Sequence, residues 1–211
     1  MFCKTFSKNG IVYTNITMPI CQLENVFVTL QRKGNKRLIC TYVMITLTSI
    51  DYARLIQFTA TKMYHTLLNK TQINKILFYI YGVYYASHPT PLFTDDTPKV
   101  WTYGPVFPRP NKRIVSCEKI EQSDFTKEQI EAFQADKPFL ARIVEIVGNM
   151  CDKSAFSLSQ WSHEEGSPWY RTLYNKDEKT GRIMSQEPWN TPVKLEYIKE
   201  YFSNPQNVIF G

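Results

Sequence analysis

The most strongly apolar segment of the chain lies between Thr71 and Tyr85. Its isoleucine, leucine and valine side chains recur at helical spacing, and phenylalanine and tyrosine residues make the remaining faces apolar as well. A helix that is apolar on nearly every side belongs in the interior of a domain. We therefore predict a central buried helix over residues 71–85, capped at its start by Thr71.

Periodic segments on both sides of this helix predict further helices. A period of 3.6 residues begins immediately after Thr48 and Ser49, either of which can cap a helix that ends at Asn69. Later in the chain, Thr126 and Gln129 have the spacing of a capping box, followed by apolar residues. The first helix and the central helix are joined by so short a link that they should pack as an antiparallel pair.

The second half of the chain continues the helical pattern. Asp136-Lys137-Pro138 predicts a helix start, and the apolar face that follows runs to Met150. A shorter helix is predicted over residues 154–165, another from Ser167, and a terminal helix capped by Thr191. The predicted fold class is therefore mainly α: a compact multi-helix single domain around a buried central helix, with little β structure.

The β-prone residues are few, and most lie near the N-terminus. Short runs at residues 11–13 and 26–30 predict two strands that could form a hairpin, and a third short strand is predicted around residues 112–118. Because composition changes at Met44, we interpret residues 1–43 as an N-terminal extension of uncertain structure and residues 44–211 as the helical domain. We also consider the hypothesis that translation begins at Met44.

The charge distribution weakens a nucleic-acid interpretation. The chain has 211 residues and a net charge of +6, but residues 1–43 carry six basic residues against one acid, which leaves 19 basic and 18 acidic residues for the rest. An electrostatic nucleic-acid binder concentrates positive charge on its folded domain. The near-neutral body therefore argues against that class.

Residues suited to catalysis or metal binding are sparse. The chain has three histidines and five cysteines, with neither a zinc-binding spacing nor a glycine-rich phosphate loop. No stretch reaches the roughly 20 apolar residues of a membrane helix. Cys151 and His163 could form a nucleophile and base, which leaves a thiol hydrolase as one alternative. We otherwise expect no enzyme activity, no metal and no cofactor.

The aromatic segment at residues 100–107 has two interpretations. Gly104-Pro105 is a turn signal, because glycine permits a positive φ and proline fixes the φ of the next residue. Trp101 and Tyr103 either brace this turn or serve as amphipathic anchors for a partner, the residue class that supplies interface hot spots. His163 and Trp169 likewise serve either packing and capping or partner contact.

The order of these motifs resembles the SocA-like antitoxin family, also called the Panacea domain, which is frequent in bacterial and phage genomes. That family shows a helix reading roughly LQKLLYYAQ, an acidic connector, Trp-x-x-Gly-Pro-Val, Leu-Ser-x-x-Thr-His and Pro-Trp. The matching positions here are Ile73 to Tyr81, Pro91 to Asp96, Trp101 with Gly104-Pro105-Val106, Leu158-Ser159 with His163, and Pro168-Trp169. The resemblance covers about residues 48–203.

The resemblance implies an antitoxin of a type II-like toxin-antitoxin system that acts in the cytoplasm. It would neutralise a cognate protein toxin, encoded by an adjacent gene, through direct binding, either by sequestration or by delivery to a protease system. The candidate family-motif and partner-interaction residues are Trp101, Tyr103, Gly104, Pro105, Val106, His163, Pro168 and Trp169. The alternative is a DNA-binding regulator with a helix-turn-helix-like segment near residues 154–174 and the basic N-terminus as an arm.

Overall fold

The computed structural model describes residues 2–8, 11–17, 26–31, 39–177 and 179–210. The chain divides into two units, Met1–Thr46 and Leu47–Gly211.

The first unit contains two antiparallel strand pairs. Strand β1 (Phe2–Lys8) pairs with β2 (Ile11–Thr17), and β3 (Val26–Gln31) pairs with β4 (Ile39–Met44). The β-prone runs at residues 11–13 and 26–30 therefore lie in strands, as predicted. They do not pair with each other, however, because each has a nearer partner along the chain. Residues 32–38, between β3 and β4, lie outside the described residues.

The second unit is mainly α, as predicted. Its described residues include two short antiparallel strand pairs, one formed by β5 and β6 and one by β7 and β8. The helices are α1 (Ser49–Tyr64), α2 (Lys70–Ser87), α3 (Pro108–Arg113), α4 (Lys127–Ala135), α5 (Lys137–Met150), α6 (Ala155–Ser162), α7 (Pro168–Leu173) and α8 (Leu195–Ser203). The strands are β5 (Lys99–Trp101), β6 (Gly104–Val106), β7 (Tyr174–Lys176) and β8 (Ile183–Gln186).

Helix α2 is the buried centre of this unit, which confirms the prediction from its periodicity. It packs against α1, α5, α6 and α8, and ten consecutive residues from Ile73 to Gly82 are buried. Its cap is Asn69 and not Thr71. The Asn69 Oδ1 accepts a hydrogen bond from the Gln72 backbone N–H at 3.0 Å, and the Gln72 side chain accepts one from the Asn69 N–H at 3.0 Å. This reciprocal pair satisfies two first-turn donors, so the helix starts before Thr71.

Helix α1 is capped by Thr48, one of the two predicted candidates, but ends five residues earlier than predicted. His65 adopts a left-handed conformation with φ 54°, and the Thr66 N–H bonds back to the Ala60 carbonyl at 3.0 Å. Met63 in the last turn of α1 and Leu67 beyond its end are both exposed. The 3.6-residue periodicity of the sequence continues beyond His65, where the helix ends.

The strand predicted around residues 112–118 is wrong. Pro108 and Pro110 lie in the first turns of α3, where proline needs no N–H partner, and this helix uses the chain up to Arg113. Cys117 then has a positive φ of 58°, and its N–H donates to the Leu68 carbonyl at 2.8 Å. The residues between are a connection that docks against the α1–α2 link.

The predicted cap at Thr191 is also wrong. Helix α8 begins at Leu195, and its N-cap residue Lys194 makes no side-chain capping bond. Thr191 instead lies beside β5, where its carbonyl accepts a hydrogen bond from the Val100 N–H at 2.8 Å. The helix starts predicted from Thr126, Asp136, Ser154 and Ser167 are confirmed, each with a side-chain cap.

Candidate functional site

The β5–β6 hairpin places the predicted aromatic segment over α2. Trp101 pairs with Gly104 across a turn made by Thr102 and Tyr103. Gly104 has a φ of +99°, in the region that favours glycine. A Cβ at this position would lie 2.7 Å from the Lys75 Nζ and would also clash with the Ser162 Oγ. The hairpin can approach α2 this closely only because residue 104 is glycine.

Lys75 lies directly beneath the hairpin and is fully buried. Its Nζ donates to the Pro105 carbonyl at 3.0 Å, and no described carboxylate lies within ion-pair distance. Burial without a counter-charge lowers the pKa of Lys75 from 10.5 to about 7. Lys75 lies in the segment that matches the family helix, but this role was not predicted. The signal in the sequence was a lysine inside a segment that is apolar on nearly all sides.

Asn74, next to Lys75, fixes the end of the same hairpin. Its Oδ1 accepts a hydrogen bond from the Phe107 N–H at 3.0 Å, and its Nδ2 donates to the Asn111 Oδ1 at 3.1 Å. Asn74 is itself buried. Two consecutive polar residues of α2 therefore hold the backbone of β6 and its exit through hydrogen bonds made inside the protein.

His163 and Trp169 support the hairpin from the other side. The His163 ring packs on Trp169 with centroids 4.1 Å apart, and the Trp169 Nε1–H donates to the Trp101 carbonyl at 3.0 Å. The His163 Nε2 is buried and has no hydrogen-bond partner within the described part of the chain. Burial, and then the nearby charge of Lys75, lower the pKa of His163.

The predicted site residues thus converge on one region but differ in exposure. Tyr103 is 72% exposed and Trp101 is 36% exposed, so both can reach a partner. Trp169 is only 5% exposed, which agrees with the packing interpretation, and Val106 and Pro168 are buried as well. These three, together with Gly104, Pro105 and His163, build the scaffold that presents Trp101 and Tyr103.

A cleft of about 780 Å³ opens beside the hairpin. Its rim includes Trp101, Tyr103 and Trp189, and Asn74, Lys75 and Asn111 also line it. Trp189 is 49% exposed. The sequence analysis missed Trp189 because it precedes the last helix by several residues, in a segment without periodicity.

The segment that carries Trp189 reaches the cleft by pairing with β5. The Asn190 N–H donates to the Val100 carbonyl at 2.7 Å, and the Asn190 Oδ1 accepts a hydrogen bond from the Trp101 Nε1–H at 3.2 Å. Asn190 has a positive φ of 71°. Since these contacts join residues about 90 positions apart, no local sequence signal could have revealed them.

The alternative chemistries receive no support from the geometry. The Cys151 Sγ–H donates to the Gly148 carbonyl at 3.6 Å, and burial raises the pKa of this thiol, which disfavours the nucleophilic thiolate. The structure shows no hydrogen bond between Cys151 and His163 in the residues it describes.

The segment considered as a helix-turn-helix is short, and most of its side chains are buried or paired with other residues of the protein. Helix α7 has six residues, of which Pro168, Trp169, Thr172 and Leu173 are buried. Its basic residue Arg171 pairs with Glu200 at 3.0 Å and lies over the Tyr197 ring at 4.1 Å. A recognition helix needs free side chains toward the major groove, and α7 offers few.

Two further properties concern membranes and metals. No helix in the described part of the chain is long and apolar enough to span a bilayer. The same residues contain no group of three or more His, Cys, Asp or Glu side chains arranged to hold a metal ion.

The second unit is mainly helical and exposes aromatic side chains on the β5–β6 hairpin. In the comparison with protein families, the model described as "Antitoxin SocA-like, Panacea domain" matches residues 73–170. The match confirms the predicted resemblance to SocA-like antitoxins. It begins in α2, ends in α7 and includes Lys75, the β5–β6 hairpin and Trp169. Outside these residues the predicted extent of the domain, 44–211, stays a prediction.

No curated protein and no solved structure gives a significant match to this chain.

Proposed function

We propose that this protein is the antitoxin of a type II-like toxin-antitoxin pair and neutralises a cognate protein toxin by direct binding in the cytoplasm. The family match supports the antitoxin class. The observation that carries direct binding is the exposure of Tyr103, Trp101 and Trp189 on one face whose backbone is fixed from below. Aromatic residues on such fixed supports are typical interface hot spots, because little side-chain entropy is lost when they are buried.

The proposed role is not catalytic. Neutralisation then depends on affinity, and the same binding step serves whether the toxin is sequestered or delivered to a protease. We expect the toxin to be the product of an adjacent gene, in a bacterial or phage genome.

Co-expression tests this function directly. The adjacent gene's product should arrest growth when induced alone in bacterial cells, and growth should return when this protein is produced with it. An affinity tag on this protein should then recover the toxin as a stoichiometric complex. A harmless neighbour, or a toxin that stays lethal in the presence of this protein, would refute the proposal.

A further inference from the structure

The described side chains that line the cleft beside the β5–β6 hairpin carry charge of only one sign, which is positive. None of the described residues that line it is Asp or Glu, whereas Lys75 contributes a cation. A lysine ammonium has three N–H donors, and the described residues provide one acceptor, the Pro105 carbonyl. The buried His163 Nε2 nearby also has no partner there. The Lys75 ammonium therefore has donors left over, and no described residue that lines the cleft is acidic.

A second cation extends the same sign. The Lys70 Nζ donates to the Asn111 carbonyl at 3.0 Å, so its charge is held beside the cleft wall. Because no described residue that lines the cleft is acidic, the field inside the cleft is positive.

The rim adds recognition of a protein chain. Trp101, Tyr103 and Trp189 offer partly exposed aromatic faces, and the Asn111 side chain lies on the wall below them. Aromatic and amide groups together suit an extended polypeptide, whose backbone needs hydrogen bonds and whose apolar side chains need cover. A nucleic acid is less suited, because it requires an array of cations along its backbone rather than one local cluster.

We propose that this cleft binds an acidic segment of the toxin, whose Asp or Glu carboxylate lies over the wall formed by Asn111 and Lys75 while the aromatic rim covers the flanking residues. This inference rests on the proposed function and adds the binding site and the chemistry of the partner. Lys75 contributes to binding because its positive charge attracts the partner's carboxylate, and the low dielectric of the protein interior beneath the cleft strengthens this attraction.

Binding of a carboxylate near Lys75 favours the charged form of the lysine, so complex formation takes up protons when the free pKa is about 7. Affinity should be highest below pH 7 and fall as pH rises above it, by at most about tenfold per pH unit. Among the other titratable groups, His163 is close enough to be affected by the Lys75 charge, Tyr103 lines the same cleft, and Lys70 bonds to the Asn111 carbonyl at the cleft wall. His163 is neutral above pH 7 because its pKa is lowered from 6.5.

Calorimetric titration of the purified adjacent-gene toxin into the full chain tests the proposal. Tyr103→Ala should raise the dissociation constant at least tenfold, because it removes an aromatic anchor of the rim. Phe156→Ala is the matched control, since Phe156 and Tyr103 are both 72% exposed aromatic residues. The control should stay within about twofold of the wild type.

Charge is tested by two substitutions of one cleft residue. Thr102→Glu should weaken binding at least tenfold, Thr102→Lys should bind as tightly as the wild type or more tightly, and Gln160→Glu on α6 should have no effect. If wild type binds and the cleft variants bind equally well, the cleft assignment is wrong and the proposed function stands. If Thr102→Lys is as damaging as Thr102→Glu, the acidic partner is wrong. Absence of wild-type binding refutes both proposals, and cleft-dependent binding of single-stranded RNA in place of the toxin would overturn the protein partner.

Discussion

Replacing Lys75 with methionine should stabilise the folded protein at pH 7, although it removes a hydrogen bond. The difference between a pKa of 10.5 in the unfolded chain and about 7 in the folded protein corresponds to about 5 kcal/mol of unfavourable charge burial at low pH. Loss of the bond to the Pro105 carbonyl leaves a buried acceptor, at a cost of about 1–3 kcal/mol. Methionine has a similar volume, so a net gain of about 2 kcal/mol is expected at pH 7.

The pH dependence of the free energy of unfolding provides a second test of the same prediction. Between pH 7 and 10.5 the unfolded chain binds more protons at Lys75 than the folded protein, so wild-type stability should rise with pH in that window. From pH 7 to pH 9 the wild type should gain about 2 kcal/mol relative to the variant. The comparison with Lys75→Met cancels groups common to both proteins, including Cys151, whose raised pKa acts in the opposite direction above pH 9.

Urea unfolding followed by tryptophan fluorescence at pH 7 and pH 9 measures both effects. Lys75→Met should have the higher midpoint at pH 7 and a smaller increase in stability at pH 9. A destabilised variant whose pH response equals that of the wild type would refute the reasoning, because Lys75 would then be ionised in the folded protein without penalty. The same variant should bind the toxin more weakly, so that gained stability accompanies lost function.

Two further predictions concern the scaffold. Gly104→Ala should lower the free energy of unfolding by about 2 kcal/mol or more in the same urea assay, because its φ is positive and its Cβ would clash with Ser162. Gly166→Ala, with a φ of +90° but open space around it, should cost only about 1 kcal/mol, and equal losses would show that packing under the hairpin is unimportant. Asn69→Ala should cost about 1 kcal/mol through loss of the α2 cap, whereas Thr71→Ala should be nearly neutral, and the reverse order would support the cap predicted from sequence.

The parts of the fold that sequence predicted well depend on local interactions. The burial of α2 followed from its composition, because a helix that is apolar on every face is stable only in the interior. The capping box of Thr126 and Gln129 was also predicted correctly, because its donors and acceptors lie only three residues apart. The cap of α2 was assigned to Thr71, whereas the reciprocal bonds join Asn69 and Gln72, so a hydroxyl residue before an apolar segment did not by itself locate the helix start.

The parts that sequence missed depend on contacts between distant segments. Thr191-Pro192 has the pattern of a helix start, yet pairing with β5 holds it extended. The same pairing brings Trp189 to the cleft. The role of Lys75 was missed for a related reason: its burial is decided by a hairpin about 30 residues later, and only the packed structure shows that no acid accompanies it.

Growth of cells that express the adjacent-gene toxin together with variants of this protein, all at equal levels, tests whether the protein neutralises the toxin through this cleft. We expect full rescue by the wild type and by Phe156→Ala, and loss of rescue with Tyr103→Ala and Thr102→Glu. Growth arrest that persists with the wild-type protein at a level above that of the toxin would refute toxin neutralisation.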